Sequence, residues 1–524
     1  MPKHPSKGDK PIRNLAVILG DQLDRGLPEH LGLDPESDTI LMMEVRAESE
    51  HAASHVQRTV LFLAAMRHHA AWLRDQGWRV DYVAISDKVN TQAFDTEIIR
   101  ACRRWHPERI VAARPGEHRV LDLVESAAEQ AAVGLNWRED PHFLCTPEEF
   151  GSWASGRKEL VMEFFYREQR RKLGVLVEED GKNPVGGQWN FDKDNRAVFK
   201  ATPKAPRPPV FKRDAVTEAV IKDVQRLLPD LPGSIDAFAW PVTREQALES
   251  LDDFIQRRLP KFGTYQDAMW TGERSLYHAL LSPAMNLKLL DPREVYQRAL
   301  AAYESGHAPL NSVEGFVRQI IGWREFIRGV YWFEGEEYAH RNELGHTGDL
   351  PEFYWNAKTD MACMADAIGG VLEMAYAHHI SRLMVTGNFA MIAGIDPKQV
   401  SDWYLGMYAD GVDWVTLPNT LGMALHADGG VVGTKPYAAS GKYIQRMGNA
   451  CEHCRYDLSK RHGDDACPFN TFYWDFLIRH EKRFSKNMRM KMMLKHVEKM
   501  EKPERVEITI SANKLRKRMG INAG

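Results

Sequence analysis

An α/β N-terminal domain built on a parallel sheet, followed by a larger all-α domain, is the fold that this 524-residue sequence predicts. Three observations predict it. Short β-rich runs alternate with helical stretches up to about residue 145, the pattern turns helical beyond residue 214, and the chain exceeds the ~250–300 residues at which one core stops growing. With 44% hydrophobic and 27% charged residues there is apolar mass for two cores, and a disordered polyelectrolyte is excluded. The formal charge is only −3, so any affinity for nucleic acid has to come from local basic patches.

The boundaries read as a disordered basic N-terminus over 1–13, an α/β domain over 14–145, an interdomain helix and linker over 146–213, a helical domain over 214–500 and a basic tail over 501–524. The basic start precedes only seven strand-like residues rather than a signal core, and no stretch reaches the ~18 apolar residues needed to span a membrane. A soluble, cytoplasmic, monomeric protein is expected.

Asn14–Gly20, Thr39–Val45, Arg79–Ile85 and Arg109–Ala113 read as buried strands, and His55–Leu73 is an amphipathic helical stretch between two of them. Ligands of such sheets sit beyond the carboxyl ends of the strands, here Gly20-Asp21-Gln22-Leu23 and the segment near Glu44 and Glu48. A capped turn explains Gly20-Asp21 equally well, because neither GxGxxG nor a Walker pattern is present. From Asn183 to Arg213, five prolines and seven Lys or Arg residues, with Lys182 just before them, suggest a solvated linker, with Trp189, Phe191 and Phe199 able to pack on a body or touch a polyanion. Helical segments are predicted near 214–228, 243–258, 285–305, 313–332, 361–390 and 470–482. From Arg479 onward, 14 Lys and Arg face 5 Asp and Glu, which predicts a partly frayed basic end.

Four constellations carry chemistry. Cys451-Glu-His-Cys454, then Cys467-Pro468, with Cys363 upstream, have ligand spacing for an iron–sulfur cluster or for zinc completed by His453 or His462. Ser282-Pro283 looks like a helix N-cap that would offer free N–H groups to a diphosphate, although an ordinary cap is the simpler reading. His378-His379 supply a candidate general acid, and a structural hydrogen bond competes with that role. Trp323, Trp332, Tyr354-Trp355, Trp403-Tyr404, Tyr408 and Trp414 are core aromatics able to relay electrons if a flavin is present.

Taken together, Gly20–Leu23, Phe262-Gly-Thr-Tyr-Gln-Asp-Ala-Met269, Val313–Glu325, His378-His379, Gly433–Gly441 and the four cysteines resemble the prokaryotic iron–sulfur branch of the cryptochrome/photolyase family, which includes bacterial (6-4) photolyases. The likeness spans about residues 14–500. It implies an antenna domain, a linker, and a helical domain holding FAD beside a 4Fe-4S cluster, with Cys363, Cys451, Cys454 and Cys467 as cluster ligands. It places a 6,7-dimethyl-8-ribityllumazine antenna against Gly20, Asp21, Gln22, Leu23, Met43, Val45 and Glu48. The flavin would be lined by Phe262, Tyr265, Gln266, Met269, His278, Leu281, Ser282, Trp323, Arg324, Asn388, Asp410 and Asn419. Trp403, Trp355 and Tyr404 would feed it electrons. His378, His379 and Tyr437 would serve catalysis, with Arg196 and Lys435 at the DNA lesion. The activity implied is light-driven repair of (6-4) photoproducts in UV-damaged DNA; a cryptochrome-like photoreceptor, a cyclobutane-dimer photolyase and a flavin-free zinc protein are the alternatives. Thr416 stands where a close relative carries a carboxylate and Val412 where some carry an aromatic residue, which puts flavin redox tuning and the electron route in question.

Overall fold

The computed structural model describes residues 12–522, so residues 1–11 of the expected disordered N-terminus lie outside the described residues. Ile12 is already buried, and the Arg13 guanidinium pairs with Asp38. Five strands, β1 (Asn14–Val17), β2 (Thr39–Met43), β3 (Val80–Val83), β4 (Arg109–Ala113) and β5 (Gly134–Arg138), make one parallel sheet in the order β3-β2-β1-β4-β5. Leu15 lies opposite both Thr39 and Ile110. Every residue of β1 and β2 is buried, which is why each reads as a continuous apolar run. β5 goes beyond the four strands predicted: it is an edge strand, half-exposed and carrying Asn136 and Arg138, so no such run marks it.

The winding direction reverses beside β1, and the carboxyl ends of β1, β2 and β4 therefore splay apart and leave a crevice. Helix Val56–Asp75 packs against Ala215–Leu227, the first helix of the second region, and so ties the sheet to the helical part. Among the described residues no helix is long and apolar enough to cross a membrane.

Four predicted helices are interrupted, 313–332 among them by the π turn Arg318–Arg324. The 285–305 segment is two helices, Ser282–Asn286 and Pro292–Glu304, because Lys288 takes a left-handed φ of 64° and Pro292 starts the next helix. The 361–390 segment stops at Met374, where Ala375 caps it at φ 52°, and resumes after His378. In the 243–258 segment the last five residues widen into a π turn. Of three further π turns, Arg318–Arg324, Ser381–Gly387 and Pro418–Ala424, the last two face each other across the site described below, the kind of local widening that often marks functional positions.

The linker is anchored rather than solvated. Trp189 lies beneath the guanidinium groups of Arg167, Arg170 and Arg171, 4.6–5.5 Å from its ring centre. Phe199 stacks on Tyr265 at 4.4 Å, and buried Asn195 donates to the Asn311 carbonyl. The expected frayed tail is likewise corrected. Lys502–Arg518 is a helix whose Ile508, Ala512 and Leu515 recur at helical spacing and are buried against Pro468–Arg479, while Arg516 and Arg479 share the buried Asp475 carboxylate. Net charge had obscured that narrow apolar stripe.

Candidate functional site

The left-handed turn at Ala375 swings residues 376–378 out of the helix and His379 begins the next one, so the two histidines do not share one regular helical face. They instead separate two cavities. The first, about 490 Å³, is lined by His379, Arg382, Tyr404, Tyr408, Asp410, Thr416 and Asn419 among others. The second, about 560 Å³, is lined by Met269, Arg274, Tyr376, His378 and Cys363 among others.

Arg382 holds this junction together. Its Nη1 and Nη2 donate to the two Asp410 oxygens at 2.9 and 3.1 Å, its Nε donates to the Ala377 carbonyl at 2.7 Å, and its guanidinium lies 3.8 Å above the Tyr408 ring. The Ser282 hydroxyl donates to Asp410 at 2.7 Å, which corrects the cap expectation: Leu281 precedes the helix, and the serine is spent on the carboxylate. Arg382 thus ties the histidine-bearing loop to an ion pair on the cavity wall. Nothing in the sequence singled it out beyond its position four residues after His378.

Two buried polar atoms on these walls have no protein partner, Tyr408 Oη and His378 Nδ1. Such atoms are costly unless a ligand or water meets them. His378 Nε2 lies 3.1 Å from Ser381 Oγ, and its ring stacks on His278 at 4.3 Å. Burial, and the proximity of His278, His379 and Arg382, push the His378 pKa well below its usual value. His379 opens onto its cavity yet sits in a recess beside Arg382, and desolvation lowers it to about 4. Both imidazoles are therefore neutral near pH 7 in the DNA-free protein.

The other predicted flavin positions divide. Asp410 and Asn419 line the first cavity and Met269 the second; Thr416 also borders the first. His278 and Ser282 contact these walls through His378 and Asp410. Phe262 packs on Phe254 and Phe316, Tyr265 stacks on Tyr277, the Gln266 carbonyl lies 3.0 Å from His278 Nε2, and Leu281 is buried. Asn388 exchanges hydrogen bonds with the Ala439 backbone. Trp323 and Arg324 are elsewhere: Trp323 meets Phe326, and Arg324 pairs with Glu325 and lies over Phe143 and Trp414.

Trp403 is buried, within 5.2–5.7 Å of Tyr354, Tyr404 and Tyr408 by ring centres, and its indole N–H donates to the Tyr354 carbonyl. Trp355 follows Tyr354 in sequence and is partly exposed. Tyr404 and Tyr408 line the first cavity, so an aromatic series runs from its wall into the core. On the outer surface, Arg196 and Tyr437 are exposed and Lys435 is partly so, and Asn487 and Arg489 hold the loop of Lys435 and Tyr437 through Thr434.

The four predicted ligand cysteines line one cavity of about 340 Å³, and Cys363 also borders the second cavity, beside His378. None is in a disulfide. Cys363 lies in the first turn of helix Ala362–Met374, and Cys467 caps Pro468–Arg479. Burial and mutual repulsion push Cys451 up to about 12 and Cys467 to about 11, so the thiols stay protonated unless a metal takes the proton's place. His453 and His462 are exposed and do not line this cavity. Among the described residues no three His, Cys, Asp or Glu side chains converge tightly enough for a single ion.

The strand-end crevice is a fourth cavity, about 710 Å³, lined by Gly20, Asp21, Met43, Val45 and Glu48 as expected, and also by Arg58, Phe62, Met66, Gly116 and Glu117. Gln22 and Leu23 are turned away: Gln22 bonds the Ala113 and Arg114 carbonyls and Leu23 N–H donates to Leu287. Val412 lines this crevice rather than the aromatic series.

A family model described as deoxyribodipyrimidine photo-lyase-related protein matches residues 16–240. Over 479 residues the chain is 48% identical to a protein named (6-4) photolyase from Agrobacterium fabrum, an alignment covering 91% of this chain and 94% of that one. Its fold resembles a bacterial class III photolyase from Agrobacterium tumefaciens, with a TM-score of 0.57 at 14% identity over 98% and 99% of the two chains. It also resembles a Synechocystis sp. PCC6803 cryptochrome, with a TM-score of 0.54 at 13% identity over 98% and 100%.

Proposed function

The chain belongs to the cryptochrome/photolyase family, in the company of bacterial (6-4) photolyases, and from that premise we propose that it repairs (6-4) pyrimidine–pyrimidone photoproducts in DNA as a light-driven carbon–carbon lyase. The observation that carries the substrate assignment is the His378-His379 pair at the junction of two cavities, tied by Arg382 to Asp410. Breaking a (6-4) bond requires a hydroxyl or amino group to move back between rings, and a positioned proton donor assists that transfer.

FAD fits the first two cavities, where Asp410, Asn419, Arg382 and Met269 would hold it and where Tyr408 Oη lacks a partner. When bound and reduced, it supplies light absorption and one-electron donation to the lesion. Arg382, held by Asp410, would present its guanidinium to an anionic flavin, and Ser282 donates to the same carboxylate. His378 is oriented by Ser381 and stacked on His278, with one ring nitrogen left for the substrate. Because both histidines are neutral in the free protein, an incoming anionic lesion has to raise their pKa before either donates as an imidazolium. Trp403, Tyr404 and Tyr408 are close enough in series to carry electrons to a bound flavin, and partly exposed Trp355 would be a further donor. Arg196, Lys435 and Tyr437 are open to solvent and would meet the DNA, where Lys and Arg supply phosphate contacts.

The four-cysteine cavity supports a 4Fe-4S cluster over zinc, since a cluster spaces its thiolates farther apart than one tetrahedral ion and the two candidate histidines stand outside. The strand-end crevice is the antenna site, with flat apolar walls and hydroxyl-binding carboxylates suited to 6,7-dimethyl-8-ribityllumazine. The test is blue-light incubation of the purified protein with (6-4) and cyclobutane-dimer oligonucleotides. Restoration of the (6-4) substrate alone is expected. Restoration of neither would overturn the enzyme reading in favour of a photoreceptor, and cyclobutane repair indifferent to His378→Ala would overturn the substrate.

A further inference from the structure

Cations of the C-terminal region divide into paired and unpaired groups. Lys460, Arg461, Arg505, Lys514 and Arg516 each meet a carboxylate. The stretch from Lys482 to Lys499 differs: it carries seven Lys or Arg against a single acid, Glu498. Arg483 is taken by Glu343, and Arg489 donates to the Thr434 hydroxyl. Lys482, Lys486, Lys491 and Lys495 are exposed, and none has an ion pair among the described residues. Like charges gathered on one surface repel each other, a cost that an anionic partner removes.

This stretch is also fixed in place. Met490, Leu494 and Val497 are buried, and helix Lys491–Glu498 packs on Pro468–Arg479. Asn487 Nδ2 donates to the Thr434 carbonyl at 3.2 Å and Arg489 Nη1 to the Thr434 hydroxyl at 2.6 Å, which joins the stretch to the loop of Lys435 and Tyr437. Beside the lysines, Met488 and Met492 are 76% and 75% exposed. Lysines with exposed apolar side chains suit either a nucleic-acid backbone or an anionic lipid surface. The anchor at Thr434 favours the first, because it sets the lysines beside groups that would meet the DNA.

We infer that Lys482, Lys486, Lys491 and Lys495 form a DNA-contacting surface separate from the lesion pocket, gripping phosphates of intact duplex on one flank of the photoproduct. This rests on the reading of the protein as a DNA photolyase. A lysine set on a phosphate releases a condensed counterion, so the surface adds affinity without reading sequence or damage. Helix Lys491–Glu498 has eight residues and is about 12 Å long, enough to run beside about three or four base pairs. Affinity and recognition are thereby divided: the lysines hold the duplex, and the pocket selects the lesion.

The experiment uses the FAD-loaded full chain, unaltered and as Lys486→Gln/Lys491→Gln/Lys495→Gln, with the corresponding triple Lys→Arg variant as the charge-retaining control. Binding to duplexes of about 30 base pairs, with and without a central (6-4) photoproduct, is read by fluorescence anisotropy between about 50 and 200 mM salt. The Gln variant is expected to bind both duplexes about 10- to 100-fold more weakly at about 100 mM salt and to lower the slope of log affinity against log salt by about 2 to 3. Its preference for damaged DNA should be unchanged, and the Arg variant should match the unaltered protein. Trimming the duplex to about two base pairs on one side of the lesion, and not on the other, should erase the difference between the Gln variant and the unaltered protein. Should the triple Gln variant not fold, Lys491→Gln alone decides, with an expected drop in slope of about 0.9. An unchanged slope overturns the inference, and so does weakening confined to the damaged duplex, which would put these lysines in the lesion pocket. A Gln variant that loses only its binding to phosphatidylserine vesicles overturns it as well, in favour of a lipid contact. In each of these cases light-driven repair by the unaltered protein leaves the photolyase reading intact; absence of that repair overturns the reading itself.

Discussion

Replacing Asp410 by Asn is expected to strand the Arg382 guanidinium at the cavity wall and to loosen the loop that presents both histidines. The carboxylate receives two charge-assisted hydrogen bonds from Arg382 and one from Ser282, and the two side chains are only 21% and 11% exposed. Breaking a buried pair by removing one partner costs about 3–5 kcal/mol, and partial exposure of Arg382 together with the acceptor that Asn retains brings the figure to about 3 kcal/mol. At roughly 2 °C per kcal/mol for a domain of this size, the thermal midpoint of the FAD-loaded protein should fall by about 6 °C. Flavin affinity should weaken by about 10- to 100-fold, because the Ala377 tether to Arg382 then holds the loop less firmly. Differential scanning fluorimetry and flavin retention on dialysis measure the two effects. A double-mutant cycle with Arg382→Met tests the pairing, the double variant costing less than the sum of the single ones. If Asp410→Asn leaves both midpoint and retention unchanged, the ion pair does not organise this site.

Other expectations follow from the same geometry. His378→Ala and His379→Ala should each lower (6-4) repair by about 10²-fold or more while flavin absorbance is retained, since general acid–base groups contribute on that scale; repair at the normal rate would remove both from catalysis. Cys454→Ala should abolish the iron content that Cys102→Ala leaves intact, because only the first thiol lines the four-cysteine cavity, and elemental analysis of both variants decides this. Buried His55 and His69 have pKa values lowered by desolvation to about 4 and about 3, so each contributes stability that is complete above its unfolded value near pH 6.5 and is lost as pH falls through that value. Chemical denaturation should accordingly show stability declining from pH 6.5 toward pH 4, and a flat profile would contradict their neutrality. Gly116→Ala should displace the antenna, for a Cβ there comes within 2.9 Å of Asp21 Oδ2 and Trp414 Cδ1; unchanged lumazine affinity would refute the tightness of that wall.

How much of this was legible beforehand varied with how local the signal is. Four strands stood out because central parallel strands are apolar throughout, whereas edge strand β5 looks like a polar turn until its partner is known. The six cysteines could be sorted by spacing for Cys451 and Cys454, but Cys363 joins them only because its helix packs beside theirs. The histidine pair was visible as a dipeptide; that a left-handed Ala375 turns it out of the helix was not, since alanine gives no sign of a positive φ.

From its own pattern the sequence determined the α/β-plus-helical division and the Cys451, Cys454 and Cys467 cluster, because those depend on periodicity and residue type along short stretches of chain. Tertiary structure alone decided which charges face which cavity. Arg382 meets Asp410 across 28 residues, Arg58 reaches Gly411 across 353, and Arg119 bridges Glu48 and Glu117. Electrostatic and hydrogen-bond energies depend on distance in space and on exclusion of water, and neither quantity is encoded at any one position of a sequence.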